Sequence, residues 1–313
     1  MSLQDRCVDA DPEIRRLAVL EIAELAEDDL APLLVAALKD VAPAVREAAA
    51  LGLEAIETEQ AVTALADALL DPEPAVREAA ARSLSELKET DCGVWLLPRL
   101  AAPTPFARAA VLRALRELRV AESAAAAAEL LDDPAAEVRR EAIGVLGYLK
   151  HRPALERISG LSRDDPAEEV RRAAVGAIAY AAAEPAVAAT LAAALQDPSW
   201  RVREEAATAL SRSTRELAGP SLLLVLEDEF WQVRLRGVRS LGRLREPRAV
   251  APLIEALDHA HANLRKEAAL ALGEIAAVEA QGPLERAADD PDPEVRKSAR
   301  LALSQIAAAA AAR

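Results

Sequence analysis

The feature that most constrains the fold of this chain is a phrase, D-P-x-x-x-V-R-x-x-A-x-x-x-L, that returns every 31 or 32 residues. A unit this short cannot enclose a core of its own, so the period predicts a stack in which each unit buries its apolar face against its neighbours. We call the arginine of the phrase the repeat arginine. It stands at Arg15, Arg46, Arg77, Arg108, Arg139, Arg171, Arg203, Arg234, Arg265 and Arg296.

Apolar residues keep fixed distances from the repeat arginine. They stand one residue before it and three and seven residues after it, which is the spacing of one face of an α-helix. A second apolar segment, such as AVTALADALL at 61–70, precedes each phrase. Each unit is therefore predicted to be a helix A, a turn and a helix B. The fold class predicted is all-α, a right-handed α-solenoid of about ten 31-residue helical hairpins forming one domain over 1–313. Its B helices are predicted to start near 12, 43, 74, 105, 136, 168, 200, 231, 262 and 293.

An acid stands six residues before most of the repeat arginines, and we call it the ladder aspartate. Ala102 and His259 are the exceptions. The Asp-Pro pair is predicted to separate the helices, with the carboxylate capping helix B and the proline in its first turn. Groups that recur this regularly are interpreted as structural caps and ion pairs laddered along the stack, and not as ten active sites.

Three segments carry a family resemblance. DPEPAVREAAARSLSEL (71–87), DPAAEVRREAIGVLGYL (133–149) and DPDPEVRKSARLAL (290–303) resemble HEAT-like repeats of the phycobilisome-lyase type. The resemblance implies a solenoid whose B helices line a concave face and whose A helices form the convex face. Members include bilin lyases and adaptor-like regulators, so the resemblance leaves function open.

Catalytic and cofactor groups are scarce. The di-iron deoxyhypusine hydroxylases resemble these repeats but carry His-Glu pairs early in helix B, where this chain has Arg140-Glu141, Glu204-Glu205 and Lys266-Glu267. His259 and His261 are interpreted as surface residues of a turn, because a shared metal would need further ligands. The sequence therefore predicts no catalytic residue, no metal and no cofactor. A bilin lyase would also need aromatic or histidine contacts to a tetrapyrrole, and this chain is poor in both.

Charge and the two cysteines limit the partners and the compartment. The net charge is -14, which repels phosphate backbones and anionic lipid headgroups. We therefore expect neither nucleic acid nor membrane as a partner. Cys7 and Cys92 form no disulfide framework, which is typical of a reducing compartment. The sequence thus predicts a cytoplasmic protein.

The aromatic residues break the repeat. Only 2% of the residues are aromatic, and all of these lie between 95 and 231. Trp200 and Trp231 each stand three residues before a repeat arginine, so with Phe230 they are predicted to form a binding hot spot on a rim. The alternative is local packing between neighbouring repeats. Tyr148 and Tyr180 are predicted to project from the ends of their B helices and to contribute to partner binding.

Arginines also gather in the middle of the chain. Residues 201–248 hold ten arginines against seven acids, and residues 99–119 hold five against one. Five of them fall on B helices outside the apolar register, and some are predicted to face the concave groove, the alternative being ordinary solvated surface. These five are Arg113, Arg116, Arg236, Arg239 and Arg243.

These observations predict a non-enzymatic scaffold or adaptor. Its central concave face and tryptophan rim would bind an acidic segment of a partner protein. The alternative is a lyase or chaperone-like maturation factor for a tetrapyrrole-type cofactor protein. Only eight residues precede Asp9, so an incomplete first helix A is expected to leave an apolar N-terminal edge that self-association could cover.

Overall fold

The computed structural model describes residues 2–25, 28–54 and 56–311. Within these ranges the chain forms α-helices, short 3₁₀ turns and loops, without a strand, so the predicted all-α class is confirmed. The contacts divide the chain into two compact units, Met1–Ala154 and Leu155–Arg313. A single domain over 1–313 stays a prediction.

Each unit alternates the predicted A and B helices. In unit 1 the described helices are α1 (Leu3–Cys7), α2 (Pro12–Leu25), α3 (Ala31–Ala37), α4 (Pro43–Gly52), α5 (Glu59–Ala68), α6 (Pro74–Ser85), α7 (Gly93–Leu96), α8 (Pro105–Glu117), α9 (Ser123–Glu129) and α10 (Ala136–Tyr148). In unit 2 they are α11 (Leu155–Asp164), α12 (Glu168–Ile178), α13 (Pro185–Ala194), α14 (Trp200–Leu210), α15 (Arg215–Val225), α16 (Trp231–Arg243), α17 (Val250–Ala256), α18 (Ala262–Ile275), α19 (Gln281–Ala287) and α20 (Pro293–Ala311).

The even-numbered helices carry the repeat arginines, and each begins three residues before its arginine. The apolar positions of the phrase form the core, as the spacing predicts. In α6, for example, Val76, Ala80 and Leu84 are fully buried. Within each unit the B helices pack against one another more extensively than the A helices do. The small side chains on their facing surfaces permit this closeness.

Two glycines show how close the B helices come. A Cβ placed on Gly242 in α16 would lie 2.6 Å from the Cα of Ala271 in α18, which is closer than carbon atoms approach. A Cβ on Gly273 would similarly lie 2.8 Å from the Cα of Ala302 in α20. Both glycines therefore allow close contact between neighbouring B helices.

The turn before each B helix differs from the prediction in two details. The helix N-cap is the residue two places after the ladder aspartate, and the carboxylate accepts the backbone N–H of that residue, as Asp40 does from Ala42 at 2.8 Å. The aspartate therefore forms an Asx turn ahead of the helix and does not itself cap it. The proline of Asp-Pro, such as Pro72, also lies in this turn, whereas Pro74 occupies the first helical position.

Several B helices end in a left-handed residue that is not glycine. Arg119 after α8 has φ 61° and Arg245 after α16 has φ 52°. At both ends the next N–H bonds the carbonyl five residues back, from Val120 to Leu115 at 3.1 Å and from Glu246 to Leu241 at 3.0 Å. This is the Schellman arrangement, in which glycine is the usual occupant because a side chain at positive φ is strained.

Candidate functional site

A ladder of ion pairs runs along the turns of each unit. Every paired repeat arginine directs Nε and Nη2 to the ladder aspartate of the next repeat. Its Nη1 donates to the backbone carbonyl at the ladder position of its own repeat, as Arg46 does to Asp40 at 2.9 Å and Arg108 does to Ala102 at 2.8 Å. The predicted structural role is confirmed at these junctions. The Nε–carboxylate pairs are Arg15–Asp40 at 2.6 Å, Arg46–Asp71 at 2.7 Å, Arg108–Asp133 at 2.8 Å, Arg171–Asp197 at 2.8 Å, Arg203–Asp228 at 2.7 Å and Arg265–Asp290 at 2.8 Å.

The ladder carboxylates are held in their charged form. The hydrogen bond from Arg15 lowers the pKa of Asp40, and that from Arg46 lowers the pKa of Asp71. Burial acts to raise the pKa of Asp197, but the bonds from Arg171 and the Ser199 N–H outweigh it and leave the pKa lowered. Acids engaged in this way are occupied by structure and are poor proton donors or acceptors for a reaction.

His259 occupies the place of a ladder aspartate. Its Nε2 lies 3.0 Å from Nη2 of Arg234, and its Nδ1 faces the N–H of His261 at 3.0 Å. Burial, followed by the positive charge of Arg234, lowers the pKa of His259. His259 lies in the turn between α17 and α18. In addition, its imidazole takes the place of the carboxylate in the ladder, which was not predicted from the sequence. The sequence signal for this role was the position of His259 six residues before Arg265, where other repeats have the ladder aspartate.

Five rings in unit 2 form what we call the aromatic edge: Trp200, Phe230, Trp231, His259 and His261. Trp200 stacks on Phe230 with ring centroids 5.6 Å apart, and Trp231 stacks on His261 at 4.8 Å. His259 and His261 stack at 5.3 Å and continue the series. Trp200, Phe230 and Trp231 are each half-buried, so each ring combines packing with an exposed face.

Trp200 and Trp231 are not in each other's ring contacts. Each ring instead meets a ring of the following repeat, since a residue three before one repeat arginine faces a residue four before the next. Cationic groups cover part of the stack. The guanidinium of Arg201 lies 5.3 Å from the Trp200 ring centroid, and that of Arg203 lies 5.6 Å from the Phe230 centroid.

The tyrosines lie at the ends of B helices. Tyr148 is the last residue of α10 and is 49% exposed, with the Arg119 guanidinium 5.9 Å from its ring centroid. Tyr180 lies in the 3₁₀ turn Ala179–Ala181 that follows α12 and is half-buried. The predicted placement at helix ends is thus confirmed for both, but they lie in different units and outside the aromatic edge.

Four of the five B-helix arginines already hold a glutamate. In unit 1, Arg113 and Arg116 donate to the two carboxylate oxygens of Glu141 at 3.2 and 3.1 Å, and Glu141 is buried. In unit 2, Arg239 binds Glu267 through Nε at 3.1 Å. Arg236 donates to Glu204 at 3.0 Å. These side chains bridge neighbouring B helices, which reduces their capacity to bind an outside acid.

Arg243 is the fifth of these arginines. Its side chain is exposed, and no ion pair involves it among the described residues. It borders a cavity of about 360 Å³ together with Arg239, Glu267, Leu270, Ala271 and Glu274. Burial and the nearby Glu267 raise the pKa of Glu274, while Arg243 acts to lower it. The cavity therefore presents both charge signs.

Reactive groups elsewhere are also engaged in structure. The Cys92 thiol is buried, and its Sγ lies 3.5 Å from Glu57 Oε2; burial and this acid raise its pKa to about 12. A thiol in that state is a poor nucleophile. Across the part of the chain that the structure describes, no three metal-ligating side chains gather into a possible ion site. No described helix is long and apolar enough to cross a bilayer.

A model of HEAT repeats matches residues 2–91, 93–179, 156–223 and 219–304. No curated protein matches. An engineered protein is similar in structure, with TM-score 0.57 and 20% identity over 97% of this chain and 98% of that one.

Two structures of Kap95 are similar as well. One reports Kap95p binding to RanGDP, with TM-score 0.63 and 17% identity over 97% of this chain. The other is the Kap95:Nup1 complex, with TM-score 0.64 and 15% identity, again over 97%. This chain spans 49% and 50% of those chains. The likeness supports the predicted α-solenoid, and the family match covers most of the sequence. This chain therefore belongs to the HEAT-repeat family.

Proposed function

We propose that this protein is a non-enzymatic scaffold that binds an acidic segment of a partner protein at its aromatic edge. The observation that carries the proposal is the series of half-buried, stacked rings of Trp200, Phe230 and Trp231 at consecutive turns of unit 2. The positions equivalent to Trp200 and Trp231 in the other repeats hold proline, alanine or glutamate, so the fold does not require these rings.

Rings held in this way suit a binding hot spot. Tryptophan is enriched among residues that dominate binding energy, and a ring already fixed by stacking loses little rotamer freedom when a partner docks. The edge projects from helices whose core positions are fully buried, such as Val202 in α14 and Val233 in α16. A partner would therefore meet a preorganised surface.

The charge around the edge favours an acidic partner. The Arg201 side chain pairs with Glu168 but is 55% exposed where it lies over Trp200, and that of Arg215 pairs with Glu216 but is 50% exposed. Arg212 and Arg243 are exposed in the same unit. Arginine beside aromatic rings is typical of protein interfaces that recognise carboxylates.

The similar structures add coarse support, because Kap95 binds RanGDP and Nup1 in the complexes that they describe. The ladder acids and Cys92 are occupied by structural contacts, which favours the non-enzymatic role. The proposed setting is the cytoplasm, where both cysteines would remain thiols. The phycobilisome-lyase type and self-association through the N-terminal edge stay predictions.

The proposal is tested by affinity capture from the native lysate followed by quantitative mass spectrometry. We expect Trp200→Ala with Trp231→Ala to lower the recovery of the specific partner at least tenfold. Tyr148→Ala is the matched control, because it removes a half-exposed aromatic side chain from unit 1. Circular dichroism melts establish that each variant is folded. Equal recovery by the folded double variant and the control would contradict the proposal.

A further inference from the structure

At one junction of unit 1, the residue at the ladder position has no carboxylate. At complete junctions the aspartate satisfies three donors: Nε and Nη2 of the preceding repeat arginine and the N–H two residues after the aspartate. Asp71 shows all three, with Nε and Nη2 of Arg46 at 2.7 and 2.8 Å and the Glu73 N–H at 2.9 Å. In the next repeat Ala102 stands at that position.

The Arg77 guanidinium and the Thr104 N–H, which would donate to that carboxylate, are both present. Nη1 of Arg77 still donates to the carbonyls of Asp71 and Pro72 at 2.8 and 3.0 Å, so the guanidinium is held as in the other rungs. The Phe106 ring supports it, 5.9 Å from ring centroid to guanidinium carbon. Among the described residues, neither Nε nor Nη2 of Arg77 nor the N–H of Thr104 has an acceptor.

The same turn opens onto an apolar hollow. A cavity of about 230 Å³ is bounded by Ala102 and Ala107 of this turn together with Leu70, Pro98 and Val111. Leu70 is 44% exposed. Because alanine ends at Cβ, residue 102 places no carboxylate beside this cavity. The site could therefore receive a carboxylate and a neighbouring apolar side chain together.

Arg77 also stands out from the other arginines of the region. Residues 99–119 hold five arginines against one acid. Most of those arginines are already engaged: Arg99 with Asp67 at 2.6 Å, Arg108 with Asp133, and Arg113 and Arg116 with Glu141. The acids offset the charge of those arginines, whereas the Arg77 guanidinium remains able to bind a carboxylate in bidentate fashion.

We propose that the Arg77–Ala102 junction is a docking site for an aspartate or glutamate of a partner protein, flanked by an apolar residue that enters the cavity. The partner's carboxylate completes the ladder from outside by accepting from Nε and Nη2 of Arg77 and from the Thr104 N–H. This site lies in unit 1 and is separate from the aromatic edge, so it goes beyond the function proposed above.

The test is a titration of the full chain, followed by nuclear magnetic resonance, with the peptide acetyl-Leu-Asp-Leu-amide. We expect the Thr104 amide and the Arg77 Nε–H signals to shift together. The Asn version of the peptide should bind at least tenfold more weakly. Ala102→Asp should abolish the shifts by occupying the site from within, and Arg77→Lys should weaken binding about tenfold because lysine keeps the charge without the fork.

Three results would overturn the proposal: equal binding of the Asp and Asn peptides, unchanged binding to both the Ala102→Asp and Arg77→Lys variants, or acetate binding as tightly as the peptide. Acetate binding as tightly as the peptide would mean that the site binds small anions only. Trp200→Ala with Trp231→Ala serves as a control that should leave the Thr104 shift intact. The experiment thus distinguishes failure of docking at the Arg77–Ala102 junction from failure of partner binding at the aromatic edge.

Discussion

The two units each contain one junction at which the ladder aspartate is missing, and the two junctions solve the loss differently. In unit 1, Ala102 leaves Nε and Nη2 of Arg77 and the Thr104 N–H without an acceptor among the residues that the structure describes. In unit 2, His259 takes the carboxylate's place with a ring that faces both Arg234 and the His261 N–H. The Ala102 junction can therefore accept a carboxylate from another molecule, whereas at the His259 junction a side chain of this chain already takes that position.

The difference teaches that the apolar core, and not every ion pair, holds the stack together. Around the open junction Val76, Ala80 and Leu112 remain fully buried, and around the closed one so do Val233 and Leu241. The residue at the ladder position can therefore be replaced while the helices keep their packing. Positions that depart from the repeat are the ones free to serve binding.

Removal of a repeat arginine should have the largest effect, and it should separate complete from open junctions. Arg46→Ala leaves the carboxylate of Asp71, whose side chain is only 9% exposed, without its ion-pair partner. This change should lower the free energy of unfolding by about 3 kcal/mol. Arg77→Ala strands no acid and should cost about 1 kcal/mol or less. Urea denaturation of both variants measures this. Equal losses would show that the open junction has a carboxylate partner after all.

Restoring the missing carboxylate in unit 1 should stabilise the chain. Ala102→Asp supplies an acceptor for the Arg77 fork and the Thr104 N–H and should add about 1–2 kcal/mol. The gain should vanish in the Arg77→Ala background, because the stabilisation depends on that guanidinium. A gain that persists without Arg77 would contradict the assigned geometry.

In unit 2, His259→Asp should stabilise by about 1 kcal/mol at pH 7. A neutral imidazole accepts at one nitrogen, whereas donors face both nitrogens of His259. The pKa of His259 is lowered in the folded state, so the folded chain binds fewer protons than the unfolded chain. The stability contributed by neutral His259 is therefore present above its ordinary value of 6.5 and falls as the pH drops below it.

The advantage of His259→Asp should consequently widen between pH 7 and pH 5, which melting temperatures at several pH values would measure. The ladder aspartates lose their charge only below their ordinary value of 3.8, so they do not mask this window. A difference between the two proteins that does not change with pH would show that His259 is not the titrating group.

The smallest expected effects concern the helix ends of the two units. Arg245→Gly relieves a side chain at φ 52° and should add about 0.5 kcal/mol. Arg119→Gly relieves similar strain at φ 61° but also removes the guanidinium over the Tyr148 ring, so its gain should be smaller. Thermal melts of the pair test the order, and a larger gain for Arg119→Gly would reverse it.

Much of the fold followed from the sequence because the repeat encodes it locally. The spacing around Arg77 is enough to indicate a helix with Val76, Ala80 and Leu84 in the core, and all of these are buried. The mutual contacts of side chains in different repeats were harder to predict. That Arg113 and Arg116 meet Glu141 depends on how two B helices cross, which the phrase does not specify.

The candidate sites were predicted in part. Trp200, Phe230 and Trp231 stood out because the repeat does not need aromatic residues, but the rings that they meet depend on the offset between successive turns. His259 and Ala102 were both visible as exceptions at the ladder position. Their opposite consequences could not be predicted, because these depend on which donors remain beside each one.

The most direct test of the central claim, that the aromatic edge binds the partner, is site-specific photo-crosslinking. A photoreactive benzoylphenylalanine is placed at Phe230 in the aromatic edge and, as a control, at Tyr148 in unit 1. In native lysate we predict a discrete adduct from position 230 alone, and mass spectrometry should map it to an acidic segment of one partner protein. Equal adducts from both positions, or none from position 230 in a folded protein, would contradict the account.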